Sequence, residues 1–142
     1  MSEITIASYT AIIGASLLVI SQILQRFLIE PIQEYRKLRG DIAYTLIMYA
    51  VVPVMENDPD FRGIAHKHKE HLRSLASNLR RHIEIIPFYG LFSILGIVDS
   101  KKRVIKASQS LVGWSNSVRR NSEKHRDSVA DVLGIDWRGK ID

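Results

Sequence analysis

Three of the chain's five histidines and one glutamate lie within six residues of one another: His66, His68, Glu70 and His71. His66 and Glu70 are four apart and His68 and His71 three apart, so on a helix each pair shares a face and could bind a metal ion. Two lysines in the same segment oppose a cation, and no further carboxylate is placed nearby. An exposed basic face is therefore the favoured interpretation, also for His82, and we predict no metal and no cofactor.

The segment Arg120-Asn121-Ser122-Glu123-Lys124-His125 carries the second candidate chemistry. The segment has an arginine followed by a polar residue, three further positions and a histidine. This pattern resembles the motif of HEPN-type helical ribonucleases, in which two copies of the motif meet across a homodimer. The resemblance implies that Arg120 stabilises charge on a phosphate, that His125 exchanges a proton with the ribose hydroxyl or the leaving oxygen, and that Asn121 orients them. The alternative is a basic helix start, capped by Asn121 or Ser122, on which His125 is merely exposed.

A broader likeness rests on two uncharged segments, Ile86–Phe92 (IPFYGLF) and Leu111–Val118 (LVGWSNSV). They resemble segments of small, uncharacterised bacterial proteins that have one N-terminal membrane span and a helical cytoplasmic body. The plan is also similar to that of a small CRISPR-associated membrane accessory protein that assembles into a pore. The first likeness implies an architecture but no activity, and the second is an analogy of plan alone.

These residues must be positioned by a chain of 142 residues, which is enough for one compact domain and an appendage. A multidomain enzyme is excluded. The absence of cysteine excludes disulfide scaffolds, thiol catalysis and Cys-ligated zinc or iron–sulfur clusters. We find neither a Gly-rich phosphate loop nor a convincing Ser/His/Asp or paired-carboxylate arrangement.

The N-terminal segment has the length and composition of a membrane anchor. From Ile4 to Gln25 there are 22 residues without a charge, which as a helix measure about 33 Å against a hydrocarbon core of roughly 30 Å. A cleavable signal would begin with a basic region and end at small residues, so we expect this segment to be retained. Residues 1–30 form the anchor and residues 31–142 a separate body.

The basic residues near the anchor all follow it, and none precedes it. The positive-inside rule therefore predicts an N-terminus outside and a cytoplasmic body at the bacterial inner membrane. The four residues that decide this orientation are Arg26, Arg36, Lys37 and Arg39.

One face of the anchor is small and polar. At 100° per residue, five positions fall within about 60° of one another. Small residues let membrane helices approach closely, and polar side chains in lipid gain by bonding across a helix interface, so this face predicts a homo-oligomer. A lone anchor whose hydroxyls bond back to their own helix is the alternative, and a polar lining of a pore is a third interpretation. The five positions are Ala7, Thr10, Gly14, Ser21 and Gln25.

The body is predicted to be all-α, a bundle of about five helices with no alternating strand pattern. Glu30-Pro31 marks a kink or break and the start of a new helix. The stretch Ile42–Met55 is uncharged but short, so a buried core helix is favoured over a second crossing. Pro87, Ser100 and Gly134 are expected to end, cap and stop later helices. The apolar segment Phe88–Val98 is either the central buried helix or a piece at the bilayer surface.

Residues 60–126 contain 14 Lys or Arg and five Asp or Glu. In a tethered body this excess favours anionic lipid headgroups first and nucleic acid, here RNA, second. The sequence thus predicts a membrane-anchored, oligomeric helical interaction or effector module, with pore formation in a defence or stress response as its sharper form. The alternative is a membrane-tethered, metal-independent HEPN-like ribonuclease.

Overall fold

A continuous helix of 46 residues begins the chain in the computed structural model, which describes residues 3–49, 60–117 and 122–137. Its first part, α1 (Glu3–Leu24), passes through one π-helical turn (Gln25–Ile29) into α2 (Glu30–Met48). Within the described ranges it is the one helix long and apolar enough to cross a membrane. Every residue of α1 with a described side chain is exposed or half-exposed.

Of the predicted kink or break at Glu30-Pro31, the break is wrong, because the helix continues through this point, and α2 begins at Glu30. Proline has no N–H, and its ring crowds the carbonyl four residues earlier in an α-helix. Instead of ending, the helix forms one wider π-helical turn. In this turn the N–H of Glu30 donates to the carbonyl of Gln25, five positions back. The helix therefore stays continuous across the proline.

Five helices form the body, and the predicted all-α bundle is confirmed. They are α2, α3 (Phe61–Ile85), α4 (Tyr89–Ile94), α5 (Lys101–Asn116) and α6 (Ser122–Leu133), with no strand in the described ranges. The predicted helix ends and caps are confirmed. Helix α3 ends before Pro87, and the Ser100 side chain accepts a hydrogen bond from the N–H of Arg103 at the start of α5. Gly134 takes a positive φ directly after α6. Residues 50–59, which carry the end of the predicted stretch 42–55, lie outside the described residues.

Helix α2 is buried along one face from Pro31 onward, and α3 packs against it antiparallel. At one end the ring of Tyr49 stacks on His68 with 4.0 Å between centroids. At the other end, nearer α1, Nε2 of His82 lies 3.8 Å from a carboxylate oxygen of Glu34. This face of α2 belongs to the core, and its buried side chains are Pro31, Tyr35, Leu38, Ile42, Thr45 and Leu46.

Helices α3, α5 and α6 form the centre of the bundle around Trp114, which is fully buried. Trp137, beyond α6, packs back on this core, and the guanidinium of Arg126 lies 4.3 Å from its ring centroid. Segment 88–98 is not the central buried helix, because only Tyr89 of α4 is buried and the apolar side chains of Leu91 and Ile94 are exposed.

A buried carboxylate joins α2 to the rest of the body. Asp99 accepts a hydrogen bond of 2.8 Å from the hydroxyl of Tyr35, and its two oxygens each lie 3.4 Å from a guanidinium, of Arg39 and of Arg103. The hydroxyl of Tyr89 donates to the backbone carbonyl of Asp99. Burial is the main cause that raises the pKa of Tyr89 to about 12, so this phenol stays a donor at neutral pH.

The same two arginines cap the C-terminus of α6. Arg39 donates to the carbonyl of Leu133 at 2.6 Å, and Arg103 donates to that of Val132 at 2.5 Å. Cations are favoured there by the helix dipole and by unpaired carbonyls. One carboxylate therefore fixes two arginines that hold α2, α5 and α6 together.

We predict that Asp99→Ala lowers the free energy of unfolding by about 2–3 kcal/mol, because it leaves a buried tyrosine hydroxyl and two arginines without their acceptor. The figure is below that of a fully buried ion pair because both guanidiniums are partly exposed. Thermal unfolding in mild detergent, followed by circular dichroism, measures it. Asp41→Ala, at an exposed carboxylate of α2, is the matched control, and an equal loss in both variants would contradict the prediction.

Candidate functional site

His125 lies in the first turn of α6, and its ring lies next to Gly113 of α5. A Cβ built on Gly113 would lie 2.6 Å from Cε1 and 2.8 Å from Nδ1 of this imidazole. The ring is half-buried, so the alternative in which His125 is merely exposed does not describe it. Arg120 and Asn121, the other two predicted catalytic residues, lie outside the described residues.

Gly113 is a site residue that the sequence reasoning missed. A glycine inside a helix costs about 1 kcal/mol relative to alanine. In α5 its missing side chain makes the notch in which the imidazole of His125 sits. The signal was an isolated glycine in a helical pattern, which often marks a close approach. The notch fixes the position of the one titratable side chain that the ribonuclease motif places on α6.

A groove between α3 and α5 is a second feature that the motifs did not reveal. Its volume is about 470 Å³. Arg73 donates to Oδ1 of Asn116 at 3.1 Å, and Nε of Arg80 donates to the hydroxyl of Ser108 at 3.0 Å. Both arginines are thus oriented by neutral partners, which leaves their charge available to an anion. The lining residues are Arg73, Ala76, Ser77, Arg80, Ser108, Gln109 and Val112.

The histidine segment of α3 divides into an exposed part and a buried part. His66 and Glu70 form an exposed pair, 3.3 Å apart. His68 is buried between the ring of Tyr49 and the edge of Trp114, so the predicted exposed face is wrong at this position. The prediction is wrong for His82 too, which is buried.

The predicted helical pairs do not converge on a metal site. His71 turns to α2, where its Nε2 lies 3.0 Å from the hydroxyl of Thr45, and so does not share a site with His68. Across the described ranges no group of three or more His, Cys, Asp or Glu side chains could hold a metal ion.

Burial is the main cause that lowers the pKa of His68 to about 4, and the nearby charge of His71 adds to it. Neither ring nitrogen of His68 has a hydrogen-bond partner within the described part of the chain. A protonated imidazole in this position would lose more solvation than a neutral one, and no hydrogen bond there would replace it, so protonation inside the fold is strongly disfavoured.

The predicted oligomerisation face of α1 is exposed throughout. Thr10 donates its hydroxyl to the carbonyl of Ile6, four residues back, and Ser8 and Ser16 bond in the same way. Ser21 and Gln25 make no such side-chain bond within the described ranges. Gln25 belongs to the π-turn rather than to α1. On this face, the polar side chains that have no partner among the described residues are therefore Ser21 and Gln25, near the end that adjoins the body.

Comparison with protein-family models, curated proteins and solved structures gives no match. The function of this chain must therefore follow from the geometry.

We predict that His68 makes the stability of the fold depend on pH. Its folded pKa of about 4 lies below the unfolded value of 6.5, so the unfolded chain takes up the proton first. The contribution of neutral His68 to the free energy of unfolding is complete above about pH 6.5 and is lost as the pH falls toward 4. Between pH 7 and pH 5 the free energy of unfolding should fall by about 2 kcal/mol. Thermal unfolding in mild detergent at the two pH values measures this loss.

His68→Phe keeps an aromatic ring between Tyr49 and Trp114 and should flatten the pH dependence. His66→Phe, at an exposed position of the same helix, should leave it as it is in the natural chain. An unchanged slope in the His68→Phe protein would show that other groups carry the effect.

Proposed function

We propose that this protein is a membrane-anchored, oligomeric helical effector module of the bacterial inner membrane. The observation that carries the proposal is α1, a helix of 22 mostly apolar residues that has no buried residue and is continuous with a helix of the bundle. In water such a surface would be costly to expose, whereas a bilayer of roughly 30 Å accommodates it. The basic residues after α1 favour a cytoplasmic body.

Association of α1 follows from the polar groups that its own backbone does not satisfy. The hydroxyls of Ser8, Thr10 and Ser16 are bonded within the helix and give little reason to associate. Ser21 and Gln25 have no such bond, and in lipid a hydrogen bond to a second copy is the available gain. Gly14, with open space around it, lets the partner backbone approach on the same face.

Assembly around this face supplies the proposed activity. Several copies that turn their small, polar faces toward a common axis would surround a polar channel, and a defence or stress response would use it to permeabilise the membrane. The cytoplasmic bodies would then lie close together and receive the activating signal.

A second candidate is a membrane-tethered, HEPN-like ribonuclease that needs no metal. The fixed imidazole of His125 on α6 favours it, since a general acid or base must be held in place to act. The groove with Arg73 and Arg80 gives an RNA phosphate a cationic surface on the same body. In this proposal Arg120 stabilises the phosphate and Asn121 orients the two groups.

The oligomer is tested by disulfide crosslinking, because the natural chain has no cysteine. Ser21→Cys is nearly isosteric and lies on the small face, whereas Ile23→Cys lies at nearly the same depth on the opposite face. Oxidation of native membranes should give dimers of the first variant and several-fold fewer of the second. Equal crosslinking, or none at either position, contradicts the proposed interface.

Single-cysteine variants also test the orientation of the chain in the membrane. A membrane-impermeant maleimide applied to intact spheroplasts should label Ser2→Cys and should reach Ser74→Cys, on α3, only after lysis. Labelling of the α3 position in intact cells would overturn the topology and, with it, the ribonuclease candidate.

The ribonuclease is tested with full-length protein in mild detergent and single-stranded RNA in the presence of EDTA. Cleavage should fall by at least 100-fold in His125→Ala and Arg120→Ala. Gly113→Ala should reduce it too, because the new methyl group displaces the imidazole. Gly40→Ala, with open space at its Cβ, is the matched control and should retain full cleavage. Activity that survives both direct substitutions rules the candidate out.

A further inference from the structure

We propose that α4 and the turns around it lie in the headgroup region of the cytoplasmic leaflet and hold the body against the membrane. The inference rests on the proposed membrane anchor and goes beyond it, since it assigns a second, peripheral contact with lipid. It concerns the α4 patch, which we define as Phe88, Leu91, Ile94 and Leu95. These four side chains are 56–85% exposed.

The patch is a built feature of the fold. Phe88 has a φ of 54°, a left-handed conformation that bulky residues rarely adopt, and its ring is turned outward. The next residue, Tyr89, is buried and bonded to the carbonyl of Asp99. The buried contacts of Tyr89 therefore hold α4 in place, while the outer side of this helix carries large apolar side chains. Monomeric soluble proteins seldom expose such a contiguous apolar surface.

The topology brings this patch to the end of the body that adjoins the anchor. His82, near the end of α3, lies beside Glu34 and Tyr35 at the start of α2. Asp99, just before α5, is bonded to Tyr35 at the same level. The segment between them, which contains α4, therefore starts and ends at the anchor end of the bundle, and Tyr89 at the start of α4 bonds to Asp99 there.

The distance along the helix fits a contact with the headgroups. Pro31 is the first buried residue of the long helix, so the body begins there. It lies five residues beyond Arg26, the first charge after the span, which is about 8 Å along the helix axis. A headgroup layer is roughly 5–8 Å thick on each side of the hydrocarbon. The end of the body therefore reaches the lipid surface.

The apolar surface also continues from the anchor toward the body. Phe27 and Ile29, which follow Arg26 in the π-turn, are exposed. At the same end the exposed basic residues outnumber the exposed carboxylates, as is typical of interfacial segments on anionic membranes. The basic residues are Arg36, Lys37, Arg81, Lys101 and Lys102, and the carboxylates are Glu30, Glu34 and Glu84. Lipid, rather than a second copy of the body, is thus the occupant that both the position and the charge favour.

The experiment uses full-length protein with single cysteines that carry an NBD fluorophore, in vesicles of phosphatidylcholine with 30% phosphatidylglycerol. Some vesicles contain lipids with a doxyl quencher near the headgroup, which tests position 94, and others contain lipids with a quencher deep in the acyl chain, which tests position 17. Ile94→Cys reports on the α4 patch, Leu17→Cys on the anchor, and Lys67→Cys, exposed at the far end of α3, serves as the matched control. Because each site is exposed, labelling should leave the fold intact.

The expected result is at least twofold quenching at positions 94 and 17, with little at position 67. Quenching at position 17 but not at 94 overturns the proposed contact and leaves the anchor standing. A blue-shifted but unquenched label at position 94 also overturns it, because protein then covers the patch. Absence of quenching at position 17 defeats the anchor and the inference together.

Discussion

The buried carboxylate of Asp99 is the interaction on which the rest of the structure depends. A carboxylate in a protein interior is costly unless it is paired and bonded, and here two guanidiniums and a phenol surround it. These partners come from α2 and α5, and its own backbone bonds the tyrosine of α4. The same two arginines also donate hydrogen bonds to the last carbonyls of α6. The long helix is thereby fastened to a body against which its first half does not pack at all.

Much of the fold could be predicted from the sequence because local rules govern it. Pro87, Ser100 and Gly134 act on the few residues around them, and the helices end, begin and stop there. The π-turn at Gln25–Ile29 was not predicted, because a proline signals crowding but not how the chain relieves it.

The polar sites were harder to predict, since they depend on partners distant in the chain. Tyr35 and Asp99 are 64 residues apart, and no spacing rule links them. His68 and His82 were assigned to solvent on account of their basic neighbours. They nevertheless continue the stripe of Leu72, Leu75 and Leu79 at steps of four and three, and that period was the better guide to their burial. Neutral histidine can replace an apolar side chain in such a stripe at the cost of its hydrogen bonds.

The unbroken helix from Glu3 to Met48 makes the chain a lever arm of about 69 Å. A hydrophobic segment that exceeds the hydrocarbon thickness adapts by tilting, and the tilt changes when the bilayer becomes thinner or thicker. In the proposed membrane-anchored state, the continuous helix from α1 to α2 would pass such a tilt on to the body. A local change in lipid thickness or tension would then be converted into a rotation of the body relative to the membrane plane.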